Sequence, residues 1–197
     1  MKLQKYLAEV LGTFALALGV WLSVGFTMPA ATPVIAGLTL GLFVYTIGHI
    51  SGAHLNPAVT VGLWSVKKID AKDAALYIIS QFVGAVLAMV FGRIITGEIV
   101  RVSTTNVPMV GVAEAVGAFV LVFGIASVVY KRVSSGHAGF VIGGSLLLGI
   151  YLASVLSNGV LNPAIALAIG SFNVMYVAGP LLGGILGAQA YKYLSEV

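Results

Sequence analysis

The chain carries the triplet Asn-Pro-Ala twice, at Asn56-Pro57-Ala58 and at Asn162-Pro163-Ala164, about half its length apart. Each triplet is suited to begin a helix. Asn is a good N-cap, because its side-chain oxygen accepts from a backbone N–H of the first turn. Pro fits the first helical position, where its missing N–H is not needed and its φ is already helical. With the amide oxygen held in this way, the Asn NH₂ group points outward as a donor. A helix start also carries roughly half a positive elementary charge. Two such starts brought together offer donors to the oxygen of a small neutral molecule and repel cations and protons. Ala is small enough to let them meet. A lone Asn-Pro is a common turn start; the pair is the informative feature.

Such a pair must be delivered by segments that reach it from opposite sides. Six long apolar segments can be drawn, at about 5–28, 33–51, 72–95, 109–130, 138–157 and 174–194. These approach or exceed the ~20 residues needed to cross a bilayer. Between the second and third lies Asn56 to Val66, and between the fifth and sixth lies Asn162 to Ser171. As helices these are ~15 Å long, half of a ~30 Å hydrocarbon core. Of the 197 residues 59% are hydrophobic and only 8% charged, against roughly 25% charged in soluble domains. The predicted fold is an all-α membrane protein with six transmembrane helices and two re-entrant half-helices. It forms a single channel domain over 1–197, with an inverted repeat of 1–105 and 106–197.

The repeat extends beyond the triplets. Ala8-Glu9-Val10-Leu11-Gly12-Thr13-Phe14 matches Ala113-Glu114-Ala115-Val116-Gly117-Ala118-Phe119, and the segment Tyr77 to Gly84 matches Tyr176 to Gly183. Matched blocks in the same order point to an inverted internal repeat. Small residues at helical spacing, Gly84-Ala88-Gly92 and Gly179-Gly183-Gly187, suit close helix packing in lipid. The first apolar run is too long for a signal-peptide core and has Glu9 near its start, so it reads as a retained span. With six spans, Lys2, Lys5, Lys67, Lys68, Lys72, Lys131, Arg132 and Lys192 fall on one side, with Arg93 and Arg101 near the other. The positive-inside bias then puts both termini in the cytoplasm. The expected location is the cell (plasma) membrane. The segment from Gly97 to Pro108 reads as an exposed loop with Ser103, Thr104, Thr105 and Asn106 at its polar tip.

With these features together, the chain resembles an aquaporin, of the major intrinsic protein family. Gly48-His49-Ile50-Ser51-Gly52-Ala53-His54-Leu55-Asn56-Pro57-Ala58-Val59-Thr60 is close to the family's first signature, and Glu9 and Glu114 fall where the family keeps a buried Glu in each repeat. The resemblance covers nearly the whole chain. It implies a homotetramer with one pore per subunit for water or small uncharged solutes. The second triplet departs from the family pattern. Where the family usually continues with Arg, this chain has Ile165, and Ala166 follows where water channels carry Ser and glycerol facilitators Asp. Carried over by distance from the triplets, the selectivity filter falls on Ala36, Ile150, Gly159 and Ile165. It has no cation, no aromatic ring and no side-chain donor. Such a filter is wide and greasy. Glycerol, urea, ammonia and hydrogen peroxide join water as expected solutes, although an apolar ring can also dewet.

Glu9 and Glu114 read as structural acceptors for the re-entrant backbone rather than proton carriers. His49 and His54 flank the first re-entrant turn and read as loop anchors, with pH sensing as the other reading. His137 falls in the cytoplasmic link between the fourth and fifth spans. Three scattered His and no Cys give no metal-site spacing. No cofactor is implied. No catalytic triad, phosphate loop or basic stripe is present, which argues against an enzyme and against nucleic-acid binding. Two other functions share parts of the pattern. A coupled secondary transporter also has inverted repeats and broken helices, but needs an ion-coordinating site. A closed-pore structural membrane protein needs only the assembly.

Overall fold

The structure, a computed structural model, describes residues 2–196. It comprises α1 (Lys2–Gly25), α2 (Thr32–Ser51), α3 (Pro57–Ser65), α4 (Ala71–Thr96), α5 (Pro108–Val129), α6 (Ala138–Ala153), α7 (Pro163–Ala168) and α8 (Val174–Ser195). A 3₁₀ turn over Ser135–His137 precedes α6, and six of the helices are long and apolar enough to cross a membrane. Among the described residues there is no strand. Local signals explain several boundaries. The Asp70 side chain caps α4 by accepting from the Asp73 N–H at 2.8 Å, and Asn173 caps α8 by accepting from the Met175 N–H at 2.9 Å. Proline stands in the first turn of α2 and α5.

Two spans end sooner than their hydropathy predicts. The first stops at Gly25 rather than Met28; Pro29 disfavours helical backbone at the residue before it. The fifth stops at Ala153 rather than at residue 157. There the Ser157 hydroxyl, which also bonds the Ala153 carbonyl, reaches Glu114 on α5 at 2.8 Å and the chain turns inward.

The inversion can be followed in side-chain contacts. Lys5 and Tyr6 near the start of α1 both bond Asp73 in the first turn of α4, so these helices begin at one end of the bundle. Lys68, just before α4, lies over the Tyr130 ring at 4.0 Å, just after α5. Arg132 donates to the Ser195 carbonyl at the end of α8. So α5 and α8 finish where α1 and α4 begin, and the two halves run oppositely.

The most extensive helix contacts are those of α1 with α4 and α5 with α8. Glycine makes them close. A Cβ on Gly84 would collide with the Val10 carbonyl, and one on Gly183 with the Ala115 carbonyl. Each half-helix then packs on the last helix of the other half, α3 on α8 and α7 on α4.

Candidate pore

The two segments that lead into the half-helices have the same unusual backbone. Ala53 and Leu55 lie at φ 49° and 51°, and their counterparts Gly159 and Leu161 at 60° and 55°. Left-handed backbone at a non-glycine residue costs of order 1–3 kcal/mol. Buried carboxylates offset it. The N–H groups of His54 and Leu55 donate to the two oxygens of Glu9 at 2.9 and 2.8 Å, while Ser51 Oγ and Gln81 Nε2 donate at 2.7 and 2.9 Å. The N–H groups of Val160 and Leu161 donate to the two oxygens of Glu114 at 2.9 and 2.6 Å, with Ser157 Oγ at 2.8 Å. The matched tyrosines complete the cradle. Tyr77 donates to the Ser51 carbonyl at 2.8 Å, and Tyr176 accepts from the Asn158 N–H at 3.1 Å. With the N–H groups held on one side, the carbonyls of Ala53, His54, Gly159 and Val160 accept no hydrogen bond among the described residues.

The triplets meet. Asn56 caps α3 by accepting from the Ala58 N–H at 2.8 Å, and Asn162 caps α7 by accepting from the Ala164 N–H at 3.0 Å. Each amide also reaches across the repeat. Asn56 Nδ2 donates to the Leu161 carbonyl and Asn162 Nδ2 to the Leu55 carbonyl, both at 2.9 Å. This corrects the expectation that the whole NH₂ group faces outward. One N–H of each amide joins the two half-helix starts, and only the other is free for a passing molecule. The second half-helix is also shorter than predicted. It has six residues and ends at Ala168. Gly170 at φ 73° turns the chain back, and the Ser171 N–H bonds the Ala166 carbonyl at 2.9 Å, a left-handed stop of the kind glycine favours.

Between the repeats lies a narrow cavity of about 50 Å³, lined by Asn56 and Asn162 and by Ala36, Ile150, Gly159 and Ile165. That is above the roughly 10–15 Å³ a cavity needs to admit a water. It adjoins a wider mouth of about 660 Å³ with which it shares Val24, Val102 and Asn158. At the other end it meets a vestibule of about 690 Å³ beside Lys131, sharing His54. The model of the major intrinsic protein family matches residues 1–191. The chain belongs to the major intrinsic protein family. Among its relatives, Aquaporin AqpM of Methanothermobacter thermautotrophicus is 32% identical over 91% of this chain and 79% of its own length. Aquaporin Z of Photorhabdus laumondii is 32% identical over 98% and 97%. The solved aquaglyceroporin from Plasmodium falciparum shares the fold, with a TM-score of 0.71 at 22% identity over 100% and 97% of the two chains. As a major intrinsic protein, the chain is an integral membrane protein and a passive channel for water and small solutes, not an enzyme.

Within this major intrinsic protein the two candidate anchors differ. His54 is buried, with Nδ1 at 3.1 Å from Thr60 Oγ1 and its ring edge-on to Tyr77 at 5.1 Å. His49 is exposed at the vestibule rim and makes no hydrogen bond among the described residues. His137 is exposed, and among the described residues its side chain bonds Ser134 alone, at 2.8 Å. Glu9 and Glu114 do not line the cavity.

Sequence reasoning missed Thr32 and Val102 in the lining, and it gave Asn158 as cavity-lining backbone without a role for its side chain. The segment expected as an exposed loop is largely exposed, and it is tied down at several points. The Val102 N–H donates to the Ile169 carbonyl at 2.9 Å, and Asn158 and Asn173 donate to Ser103 and Thr104. No periodicity marks such a loop. A polar residue next to the glycine of the filter was the one available signal, for Asn158.

Proposed function

We propose that Ala36, Ile150, Gly159 and Ile165 form the outer constriction of this channel, and that it passes neutral solutes larger than water. Glycerol, urea, ammonia and hydrogen peroxide are the candidates. The observation that carries this reading is the lining. The four residues border the same narrow cavity as Asn56 and Asn162, and no charged side chain borders it. The position after the second triplet is held by a buried aliphatic chain, Ile165. Small Ala36 and Gly159 leave room that a ring or a guanidinium would fill. Exclusion of protons then rests on the paired half-helix starts rather than on a cation in the filter. The solved relative from Plasmodium falciparum is called an aquaglyceroporin, which is in keeping with a solute range beyond water. The channel works as a homotetramer in the cell membrane with both termini in the cytoplasm, on the basis of family likeness and of charge distribution.

The test is light scattering on proteoliposomes challenged with a panel of osmolytes. The wild type should raise water and glycerol permeability together, without dependence on a proton gradient. Ile165→Arg should raise the water-to-glycerol ratio by roughly tenfold, the effect of about 1.4 kcal/mol at the barrier. An unchanged ratio would show that Ile165 does not set selectivity. Glycerol flux that requires a proton gradient would instead favour a coupled transporter.

A further inference from the structure

We propose that Asn158 is the polar selectivity determinant of the outer constriction, and that it selects neutral solutes rich in N–H or O–H donors, urea above its isosteres. This deepens the reading of an apolar constriction and rests on it. A solute entering the ring of Ala36, Ile150 and Ile165 loses hydrogen bonds to water and finds no replacement from those side chains. Asn158 stands where the narrow cavity meets the mouth, and it borders both.

Its amide is oriented from the protein side. The backbone N–H is fixed by the Tyr176 hydroxyl at 3.1 Å and Nδ2 by the Ser103 carbonyl at 2.8 Å. Next to it Gly159 holds a φ of 60° that a larger residue would adopt only with strain. Oδ1 accepts no hydrogen bond among the described residues. The next two residues in the chain, Gly159 and Val160, have carbonyls that likewise accept none. This row of neighbouring polar groups is therefore made of neutral acceptors, while the Thr32 hydroxyl borders the narrow cavity and Glu98 and Arg101 border the mouth. The free N–H groups of Asn56 and Asn162 lie further in. A solute with several donors keeps a partner at the outer rung and then offers its own oxygen at the centre. Urea meets both demands. Acetamide has nearly the same shape and the same carbonyl but half the N–H groups.

The experiment compares urea, acetamide and water permeability in proteoliposomes, each corrected for protein-free vesicles, for the wild type, Asn158→Leu and Asn158→Ala. The wild type should pass urea faster than acetamide. Both variants should lower urea flux about tenfold, the loss of about one hydrogen bond, and bring the urea-to-acetamide ratio close to one. A wild-type elution volume and unfolding midpoint of Asn158→Ala in detergent would separate a lost acceptor from a misfolded channel, and a rise in all fluxes would show that Asn158 is only a plug. A urea-to-acetamide ratio unaffected by either variant overturns the role of Asn158 and leaves the apolar constriction standing. A wild type that passes water but neither urea nor glycerol overturns both.

Discussion

Leu55 and Leu161 occupy backbone that their side chains disfavour, and each is followed by the capping Asn of a half-helix. What keeps them there is a carboxylate on a neighbouring helix whose oxygens collect consecutive N–H groups. This gives the buried Glu9 and Glu114 a structural role. In Glu114→Gln an NH₂ group would face either the Leu161 N–H or that of Val160, and one buried donor would lose its acceptor. Such a loss costs about 1–3 kcal/mol, and the strained turn would relax as well. Glu114→Gln should therefore lower the thermal unfolding midpoint in detergent and reduce water flux per folded molecule. A variant with wild-type stability would refute the cradle. Glu9 should behave in the same way, with Gln81 and Ser51 also left to find new partners.

At the scale of the helices, close approach decides the geometry. The α5–α8 contact has no room for a side chain at Gly183, whereas nothing lies within 4 Å of a Cβ placed on Gly144 of α6. Gly183→Val should destabilise the protein by about 1–3 kcal/mol, as overpacking does, and move α8 away from α5. Since α3 packs on α8, the displacement should also disturb the pore and lower water flux. Gly144→Ala should be neutral or slightly stabilising. Parallel unfolding curves in detergent for the two variants would check this, and equal midpoints would mean that the glycine row is not a packing device.

Across the whole molecule, the two halves are interlocked. Each half-helix packs on the closing helix of the other half, and each capping Asn bonds the other half's backbone. The cavity therefore exists only when both halves are in place. Two consequences can be measured. Water should flow through proteoliposomes loaded with a pH dye while proton flux stays at the protein-free level, in the wild type and in Ile165→Arg alike. A proton leak confined to the wild type would place the barrier in the filter instead. The chain has no cysteine, so single-cysteine variants report sidedness directly. In intact cells a membrane-impermeant maleimide should label Thr105→Cys and spare Lys131→Cys; the reverse would invert the orientation.

The order of elements was legible in the sequence because lipid imposes a simple rule. A span needs a long apolar run, and a half-span flanked by a capping Asn and a Pro can only be re-entrant. The four positions counted from the triplets all border one cavity for a related reason: the triplets fix the register of everything near them. Residues far from that register were not legible. Val102 reaches the pore because the loop between α4 and α5 is tied down by the Val102 N–H on the Ile169 carbonyl and by Asn158 Nδ2 on the Ser103 carbonyl, and backbone carbonyls carry no residue signature. The use of one amide N–H of each capping Asn on the opposite repeat depends likewise on contacts between segments distant in the chain. Sequence alone determined which segments enter the membrane and where they start. Only the tertiary structure decided which polar atoms remain free to meet a solute, since that depends on what every neighbour has already taken.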